Sequence, residues 1–543
     1  MNNQNPKIEE SYDQFPYPSY AYTLSHPAKI AVIGKLLGLE TPDVNNCRVL
    51  ELGCAAGGNL IPMGYGLPRS TFVGVDLSET QINEGRALIE KLSIKNVSLL
   101  KMDLLNLGEL LDPGVGFDYI IAHGVYSWVP KNVKISILNL CGKYLTKRGL
   151  AYISFNTYPG WHQIEVVREM MLFHSRNCVD PEEKARTARE KLAFMAEAMG
   201  ERADSYALFV KKYADMLQDP RKSPKAKQDA FILHDELSLV NDPDYFYQFV
   251  EKTEKSGLQY LGDADFPTMM AYKIPKGTVE GFKQISSDLV AYEQNKDFYS
   301  NRSFRRALLC QKDIELSRSI NPSDLKSFYM SSHVKIKGEK GITLQNGIQT
   351  FEDDTGVIFS TDHQMTKAAL MVLNLVWPQF LSFDQLILEI KKILQQTGCH
   401  PDDNEGEKLI ETLCANLLHA YSRSTKIVDL RLDNPSIEVI LQEKPLASPI
   451  ARHQAKQQEM ITNLRHERIK LNPMDRNLLI RLDGQNNIDD IVLWFIDNFV
   501  KTGELNLKRG DQVIEDQNEI KRIIKKMIIK DLYKLSRLGL LER

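Results

Sequence analysis

A chain of 543 residues has room for two to four domains. Its 43% hydrophobic and 26% charged residues are ordinary for a globular protein, and a formal net charge of −3 argues against nucleic-acid binding through bulk electrostatics. Seven scattered cysteines without a C-x-x-C pair argue against a zinc or disulfide framework, so a reduced, cytoplasmic chain without metal is expected.

Met1 to Tyr22 is polar and tyrosine-rich and lacks the apolar stretch of a signal peptide. The apolar run Ala368 to Trp377 is too short to span a bilayer, so no membrane insertion is expected. Within Ser11 to Tyr20, Pro16 and Pro18 forbid regular helix, and the aromatics are dense for a disordered tail. This arm reads as a lid over a cofactor site, with Tyr12, Tyr17, Tyr20 and His26 available to it. Simple packing on the domain surface is the alternative. Thr23 to Pro27 then caps a helix over about Ala28 to Leu37.

The next stretch organises the chain. Val49-Leu50 runs into Glu51, a turn holding Gly53, Gly57 and Gly58, and a helix start at Asn59-Leu60. Glycines let a backbone turn sharply and a ligand come close. A P-loop would need Gly-Lys-Ser/Thr and a dinucleotide site G-x-G-x-x-G, and neither is present. An acid beside the turn suits a cationic ligand without phosphate, such as S-adenosylmethionine with its ammonium and sulfonium. The pattern resembles motif I of class I methyltransferases, with Ala55 at the middle glycine; a plain tight turn is the alternative.

Thr71 to Asp76 reads as the second strand, and Asp76 is placed to bind ribose hydroxyls, as it would also be in a dinucleotide enzyme. Val97 to Asp103 reads as the third. Asp103 falls where class I methyltransferases place the acceptor of the adenine amino group, with the Leu104 amide beside it. The expected cofactor-binding set is Tyr17, His26, Glu51, Gly53, Cys54, Ala55, Gly57, Asn59, Asp76, Leu77, Asp103, Leu104 and His123.

Phe117 to Ala122 reads as the fourth strand and leads into His123-Gly124-Val125-Tyr126-Ser127-Trp128-Val129-Pro130. This is not the Asn/Asp-Pro-Pro-Tyr/Phe loop of enzymes that methylate base or amide nitrogens. Ile135 to Leu145 reads as a helix, and Leu150 to Phe155 as the fifth strand, followed by Asn156-Thr157-Tyr158-Pro159-Gly160-Trp161-His162. Tyr126, Trp128, Tyr158 and His162 are the expected catalytic residues, shaping an aromatic channel for an alkyl amine; for His162 a helix-start cap is the alternative. A lysine amine, with an unperturbed pKa of ~10.4, must lose a proton before attack. Desolvation in such a channel lowers that pKa, so no dedicated base is required.

Met170 to about Lys227 has the composition of a helical insertion. A helix over about Pro243 to Ser256, a sixth strand at Leu258 to Gly262, a second helical insertion at about 265 to 300 and a seventh strand at Phe304 to Gln311 follow. His234-Asp235-Glu236 suggests a metal cluster but has no second ligand group nearby, and reads better as a polar strand edge or cap.

The last third carries a faint internal repeat. Met365 to Leu370 corresponds to Met474 to Leu479, Ser382 to Leu386 to Asn487 to Ile491, and Leu409 to Tyr421 to Ile523 to Leu535. Strand-like Gly356 to Ser360 and Leu464 to Lys470 precede the two copies. Each copy suits a winged-helix-like unit serving a protein substrate or an intersubunit contact. Lys521, Arg522, Lys525, Lys526, Lys530 and Lys534 read as one solvated helix face.

Several segments then match one family. Ser11-Tyr12-Asp13 with Pro16-Tyr17-Pro18, Glu51 to Pro62, Gly124 to Pro130, Asn156 to His162, and Arg302 to Cys310 resemble bacterial methyltransferases that carry a methyltransferase regulatory domain. The rickettsial protein-lysine methyltransferases of outer membrane protein B belong to that family. The resemblance implies S-adenosylmethionine as donor (S-adenosylhomocysteine as product), lysine ε-amines of a surface protein as acceptors, and a homodimer. The fold class expected is α/β: a class I, Rossmann-like seven-stranded sheet with helical insertions, plus a mainly helical C-terminal region of winged-helix-like repeats. The divisions expected are an arm (1–28), a cofactor core (29–168), insertions with the remaining strands (169–313) and winged-helix-like units at 314–435 and 436–543. A small-molecule methyltransferase is the alternative within enzymology. A non-catalytic binding module is the other, and the intact Glu51, Asp76 and Asp103 argue against it.

Overall fold

Seven apolar stretches pair into one sheet: β1 (Arg48–Leu52), β2 (Thr71–Asp76), β3 (Val97–Lys101), β4 (Phe117–Ala122), β5 (Leu145–Asn156), β6 (Leu258–Asp263) and β7 (Phe304–Gln311), in the order β3-β2-β1-β4-β5-β7-β6. Strands β1 to β5 pair in parallel, and β7 runs antiparallel to both neighbours. This is the class I methyltransferase sheet that the strand pattern predicts. The computed structural model describes residues 13–112, 114–218, 229, 231–337, 344, 347–397, 406–509 and 512–543. Tyr12 of the expected lid and 219–227 of the expected first insertion lie outside the described residues.

The chain order reverses at β1, which has β2 on one side and β4 on the other. Ligands of open α/β sheets bind beyond the carboxyl ends of the strands at such a switch point. Glu51 lies near the end of β1, Asp76 closes β2, and Asp103 and His123 follow β3 and β4.

Helix α1 (Pro27–Leu36) is started by His26, whose Nδ1 accepts the Ala28 N–H at 3.1 Å, and by Pro27, whose missing N–H is no loss at the first helical position. Ala28, Ile30, Ala31, Val32 and Ile33 are all buried, because α1 lies between the sheet and the segment that follows β7. One apolar core runs from the sheet through α1 into residues 325–430, so no core boundary marks the expected division at 313/314. The sheet is completed by α2 (Leu60–Gly66), α3 (Glu79–Lys91) and α4 (Lys131–Tyr144).

Between β5 and β6 the chain forms α5 (Gly160–Ser175), α6 (Pro181–Ala198) and α7 (Ser205–Gln218), a π-turn at Ile232–Glu236, and α8 (Phe246–Lys255). Helices α5 to α7 and the π-turn share a core of their own, including Val167, Met171, Leu192, Val210 and Ile232. Between β6 and β7 lie α9 (Lys276–Ile285) and α10 (Leu289–Ser300).

The two C-terminal copies also form. In the first, α11 (Gln364–Val376) is followed by α12 (Phe383–Gln396) and α13 (Gly406–Arg423); in the second, α14 (Pro473–Arg481) is followed by α15 (Ile488–Phe495) and α16 (Gln517–Arg537). Helices α12 and α15 both begin with a capping box, Ser382 with Gln385 and Asn487 with Asp490. The strand expected at Leu464 to Lys470 is shorter: Met460–Thr462 pairs with Arg468–Lys470, and the residues between them form a tight turn in which His466 has φ +63°. Asn463 builds that turn, its Oδ1 accepting the Arg465 and Glu467 N–H groups at 3.0 and 2.8 Å. Among the described residues no helix is long and apolar enough to cross a membrane.

Candidate active site

A cavity of about 490 Å³ opens at the switch point. Its floor is the strand ends: Glu51, Gly53, Cys54, Ala55, Asp76, Leu77, Asp103, Leu104 and His123. Gly53, at φ +75°, admits no side chain, since a Cβ would come within 2.3 Å of Val125. Its roof is the N-terminal arm. Asp13 accepts from the Ser78 hydroxyl at 2.5 Å, the Tyr17 carbonyl accepts from Gln81 at 2.8 Å, and Ser19 Oγ accepts the Gly58 N–H at 2.7 Å. A Cβ on Gly58 would sit 2.4 Å from the Ser19 carbonyl oxygen, so this glycine is what lets the arm lie so close. Tyr22 lies against the His123 ring, 3.6 Å between centroids and tilted by 31°. Tyr17, Tyr20 and Tyr22 all line the cavity.

The electrostatics single out Glu51. It is 3% exposed, its Oε1 accepts from Asn59 Nδ2 at 2.6 Å, and its Oε2 has no hydrogen-bond partner among the described residues. Burial pushes its carboxyl up to about 8, partly offset by the Asn59 bond, with the Asp76 charge adding to the rise. A buried carboxylate with a bare oxygen is a costly arrangement unless a cation completes it. Asp76 is raised as well, by burial, although it accepts the Ala55 N–H at 2.8 Å and the Ser78 N–H at 3.0 Å. Burial, together with the Arg306 and Arg468 charges, drives His123 down to about 3, and its Nδ1 lies 2.9 Å from the Tyr152 hydroxyl.

Two distant segments reach the same cavity. The winged-helix hairpin supplies Arg468, whose guanidinium lies 5.4 Å from the Tyr20 ring and 5.8 Å from the Tyr22 ring. The π-turn supplies His234, Asp235 and Glu236, with Phe231 before them and Tyr213 from α7 beside them. Trp128 and Trp161 form an edge-to-face pair, 5.9 Å between centroids, at the cavity wall.

Comparison with known proteins names this arrangement. Residues 50–151 match a "Methyltransferase domain", residues 228–311 a "Predicted methyltransferase regulatory domain" and residues 443–540 "PKMT, C-terminal winged helix domain". The structure of PKMT2 from Rickettsia typhi in complex with AdoHcy superimposes with a TM-score of 0.83 at 31% identity, covering 97% of this chain and 100% of that one. RP789 of Rickettsia prowazekii (strain Madrid E) is 34% identical over 524 residues, 94% of this chain and 90% of that protein. RP028 of the same organism is 37% identical over 251 residues, which span 46% of this chain and 96% of RP028. The chain belongs to the PKMT family. It is therefore an S-adenosylmethionine-dependent methyltransferase of a protein-lysine methyltransferase family, and S-adenosylmethionine is its cofactor.

Against this PKMT frame the sequence-predicted residues separate. Tyr17, Glu51, Gly53, Cys54, Ala55, Asn59, Asp76, Leu77, Asp103, Leu104, His123 and Trp128 line the cavity. His26 does not. It caps α1, is 3% exposed, and faces His466 and Arg431; burial and the Arg431 charge hold it well below the usual histidine range. Gly57 is outside too: at φ +73° it makes the turn and faces Ile61 and Leu99. Tyr126 is fully buried behind the wall, edge-on to Phe155 and Phe249 with Lys134 over its ring, so it is core and not channel. Tyr158 and His162 stack on each other at 3.9 Å outside the cavity, and both bond to Glu165. His162 lies in the first turn of α5 without capping it. His234-Asp235-Glu236 is neither strand edge nor cap, but a π-turn facing the cavity.

The sequence reading missed Trp161, Arg468, Asp235 and Glu236 as lining residues. Trp161 sits inside the Tyr-Pro-Gly-Trp-His segment and was open to notice. Arg468 carries no local signal, because it reaches the cavity only through the fold of a domain more than 400 residues from Glu51.

Proposed function

We propose that this PKMT-family enzyme transfers methyl groups to lysine ε-amines of a bacterial outer-membrane or surface protein before export. The observation that carries the reading is the Glu51 carboxyl, buried with an Oε2 that has no partner among the described residues, in a cavity also lined by Trp128 and Trp161. Such a site asks for one cation at its floor and presents an aromatic passage beyond it. AdoHcy in the related PKMT2 and the resemblance to methyltransferases of outer membrane protein B support donor and acceptor class.

The residues present fit the cofactor. Glu51 Oε2 would take the α-ammonium, oriented by Asn59; Arg468 would face the α-carboxylate; Asp76 would hold the ribose hydroxyls, and Asp103 with the Leu104 amide the adenine. S-adenosylmethionine supplies an electrophilic methyl group and leaves as S-adenosylhomocysteine. What the protein adds is positioning, because in-line displacement needs nucleophile, methyl and sulfur collinear. The arm closes the cofactor end. Trp128 and Trp161 strip water from the incoming amine, which disfavours its charged form and eases deprotonation. The reading includes a cytoplasmic homodimer, which light scattering of the purified protein tests.

Incubation with isotopically labelled S-adenosylmethionine and a lysine-rich bacterial surface-protein fragment, followed by mass spectrometry, decides the acceptor. Label on lysine side chains is the expected result. Cofactor turnover on small amines with no label on protein would move the acceptor to a small molecule.

A further inference from the structure

The cavity holds more carboxyl groups than the cofactor accounts for. Glu51, Asp76 and Asp103 stand at strand ends and match the ammonium, ribose and adenine. Asp235 and Glu236 line the same cavity, come from the inserted π-turn instead, and have no such use. Glu236 is 7% exposed; Tyr213 donates to its Oε1 at 2.9 Å, and its Oε2 has no hydrogen-bond partner among the described residues. A buried carboxylate oxygen left bare beside a cavity marks the place of a missing donor.

The other groups around the pair leave that place open. Tyr17 from the arm donates to Asp235 Oδ2 at 3.4 Å. Arg168 from α5 stands behind Glu236 and its charge acts on it; its Nη2 donates to the Ser238 carbonyl, its Nε is buried without a partner among the described residues, and it makes no ion pair with Glu236 among them. His234 Nε2 lies 2.5 Å from the Phe15 carbonyl, and burial holds the ring below its ordinary pKa, so it brings no positive charge. Tyr17 and Phe231 meet edge-to-face at 5.4 Å and wall the approach. A long, flexible, apolar stem with a cationic tip fits these walls and this end, and that is the chemistry of a lysine side chain.

We propose that Asp235 and Glu236 are the receptor for the acceptor's ε-ammonium group and that the Glu236 carboxylate takes its proton. This rests on the lysine reading above and replaces the expectation that desolvation alone suffices. One N–H bond of the ammonium breaks and one O–H bond forms on Glu236 Oε2, leaving a neutral amine with a free lone pair. That pair then forms the N–C bond to the methyl group while the C–S pair stays on sulfur. Glu236 returns the proton to water when the methylated product leaves, and the step repeats for each further methyl. The group is suited to this role, since burial raises the Glu236 carboxyl to about 7 against the lowering pull of the Tyr213 hydroxyl and the Arg168 charge, and that is near working pH, where a general base is most effective.

The test uses the full chain, labelled S-adenosylmethionine and a lysine-rich surface-protein fragment. Rates are measured from pH 7 to pH 10 for wild type, Glu236→Gln and Asp235→Asn, with AdoHcy affinity by calorimetry. Glu236→Gln should lose about 100-fold or more in kcat/KM at pH 7, regain much of it towards pH 10 as free amine becomes abundant, and keep AdoHcy affinity within about twofold. Asp235→Asn should raise KM more than it lowers kcat, and Glu236→Asp should recover part of the pH 7 rate. A wild-type rate in Glu236→Gln, or a loss that is the same at every pH, overturns the proposal. If Glu236→Gln fails to fold, seen as lost AdoHcy binding, a wild-type KM in Asp235→Asn overturns it instead. Absence of lysine label with wild type would overturn the acceptor reading itself, a different failure from lysine label that Glu236→Gln leaves untouched.

Discussion

His466 Nε2 lies 2.8 Å from Asn59 Oδ1, and Asn59 Nδ2 donates to Glu51 at 2.6 Å. The winged-helix turn is thereby joined to the carboxylate at the floor of the cofactor cavity. Burial and the Arg431 charge hold His466 down to about 3, so the ring is neutral and donates through Nε2. Thr23 donates to the His466 carbonyl at 2.8 Å, which ties the arm to the same turn. Substituting His466 should loosen Asn59 and, through it, Glu51. Asn is the variant of choice, since it tolerates the left-handed backbone and is too short to reach. His466→Asn should weaken AdoHcy binding about 3- to 10-fold, the worth of one buried hydrogen bond, while 5′-methylthioadenosine, which lacks the amino-acid tail, binds as to wild type. Equal weakening for both ligands would mean the turn supports the cavity as a whole.

Glu51 gives cofactor binding a proton signature. Its carboxyl stands at about 8 without a ligand, so near neutral pH it is largely protonated, with Asp76, Cys54 and Tyr22 the ionisable groups linked to it by charge. An ammonium against Oε2 favours the ionised form, so binding at pH 7 should release up to about one proton. Titration calorimetry of AdoHcy in buffers of different ionisation enthalpy measures that number, and Glu51→Gln should abolish it. The sign for the free protein follows from the raised value: the contribution is fully present below the unfolded carboxyl range and is lost as pH rises through about 8. Proton uptake on binding would show that Glu51 is not the ammonium's partner.

Tyr126 and Trp128 belong to one short 3₁₀ turn and face opposite ways, Tyr126 into the core and Trp128 into the cavity. The Tyr126 hydroxyl is buried without a partner among the described residues. Tyr126→Phe should therefore leave turnover within about twofold and stability unchanged or slightly raised, because only an unsatisfied polar atom is removed. Trp128→Ala should abolish turnover while AdoHcy affinity stays. A fall in AdoHcy affinity as large as the fall in rate would assign Trp128 to the cofactor pocket.

Arg305 on β7 is fully buried among three acids. It bonds Asp297 at 2.8 and 2.9 Å, Asp263 at 3.1 and 3.2 Å and Glu293 at 3.1 Å, and its guanidinium lies 3.9 Å from the Phe246 ring. The cluster ties α10 and β6 to β7 at the antiparallel edge of the sheet. Arg305→Met fills the volume but strands the acids, and should cost about 3–5 kcal/mol of stability. Denaturant unfolding followed through the sheet reads the loss; a change under about 1 kcal/mol would show that Arg302 and Lys296 already neutralise the acids.

The sequence by itself determined the sheet and its floor. A strand period ending in Glu51, a glycine turn, and later strands ending at Asp76 and Asp103 are local signals, because side-chain alternation and turn chemistry act over a few residues. The paired caps at Ser382 and Asn487 are legible for the same reason. Tertiary structure alone decided which aromatics meet the cavity. Residues of one tight turn diverge by large angles, so Tyr126 and Trp128 look alike in sequence and end on opposite sides of the wall. It decided that His26, offered by the sequence both to the lid and to the helix-capping segment, serves only the cap, because its ring found the Ala28 amide and a neighbouring arginine. It also brought Arg468, His466, Asp235 and Glu236 to the site. No local rule links residues hundreds of positions apart; only the packing of the insertion's separate core and of the winged-helix turn against the strand ends places their charges in one cavity.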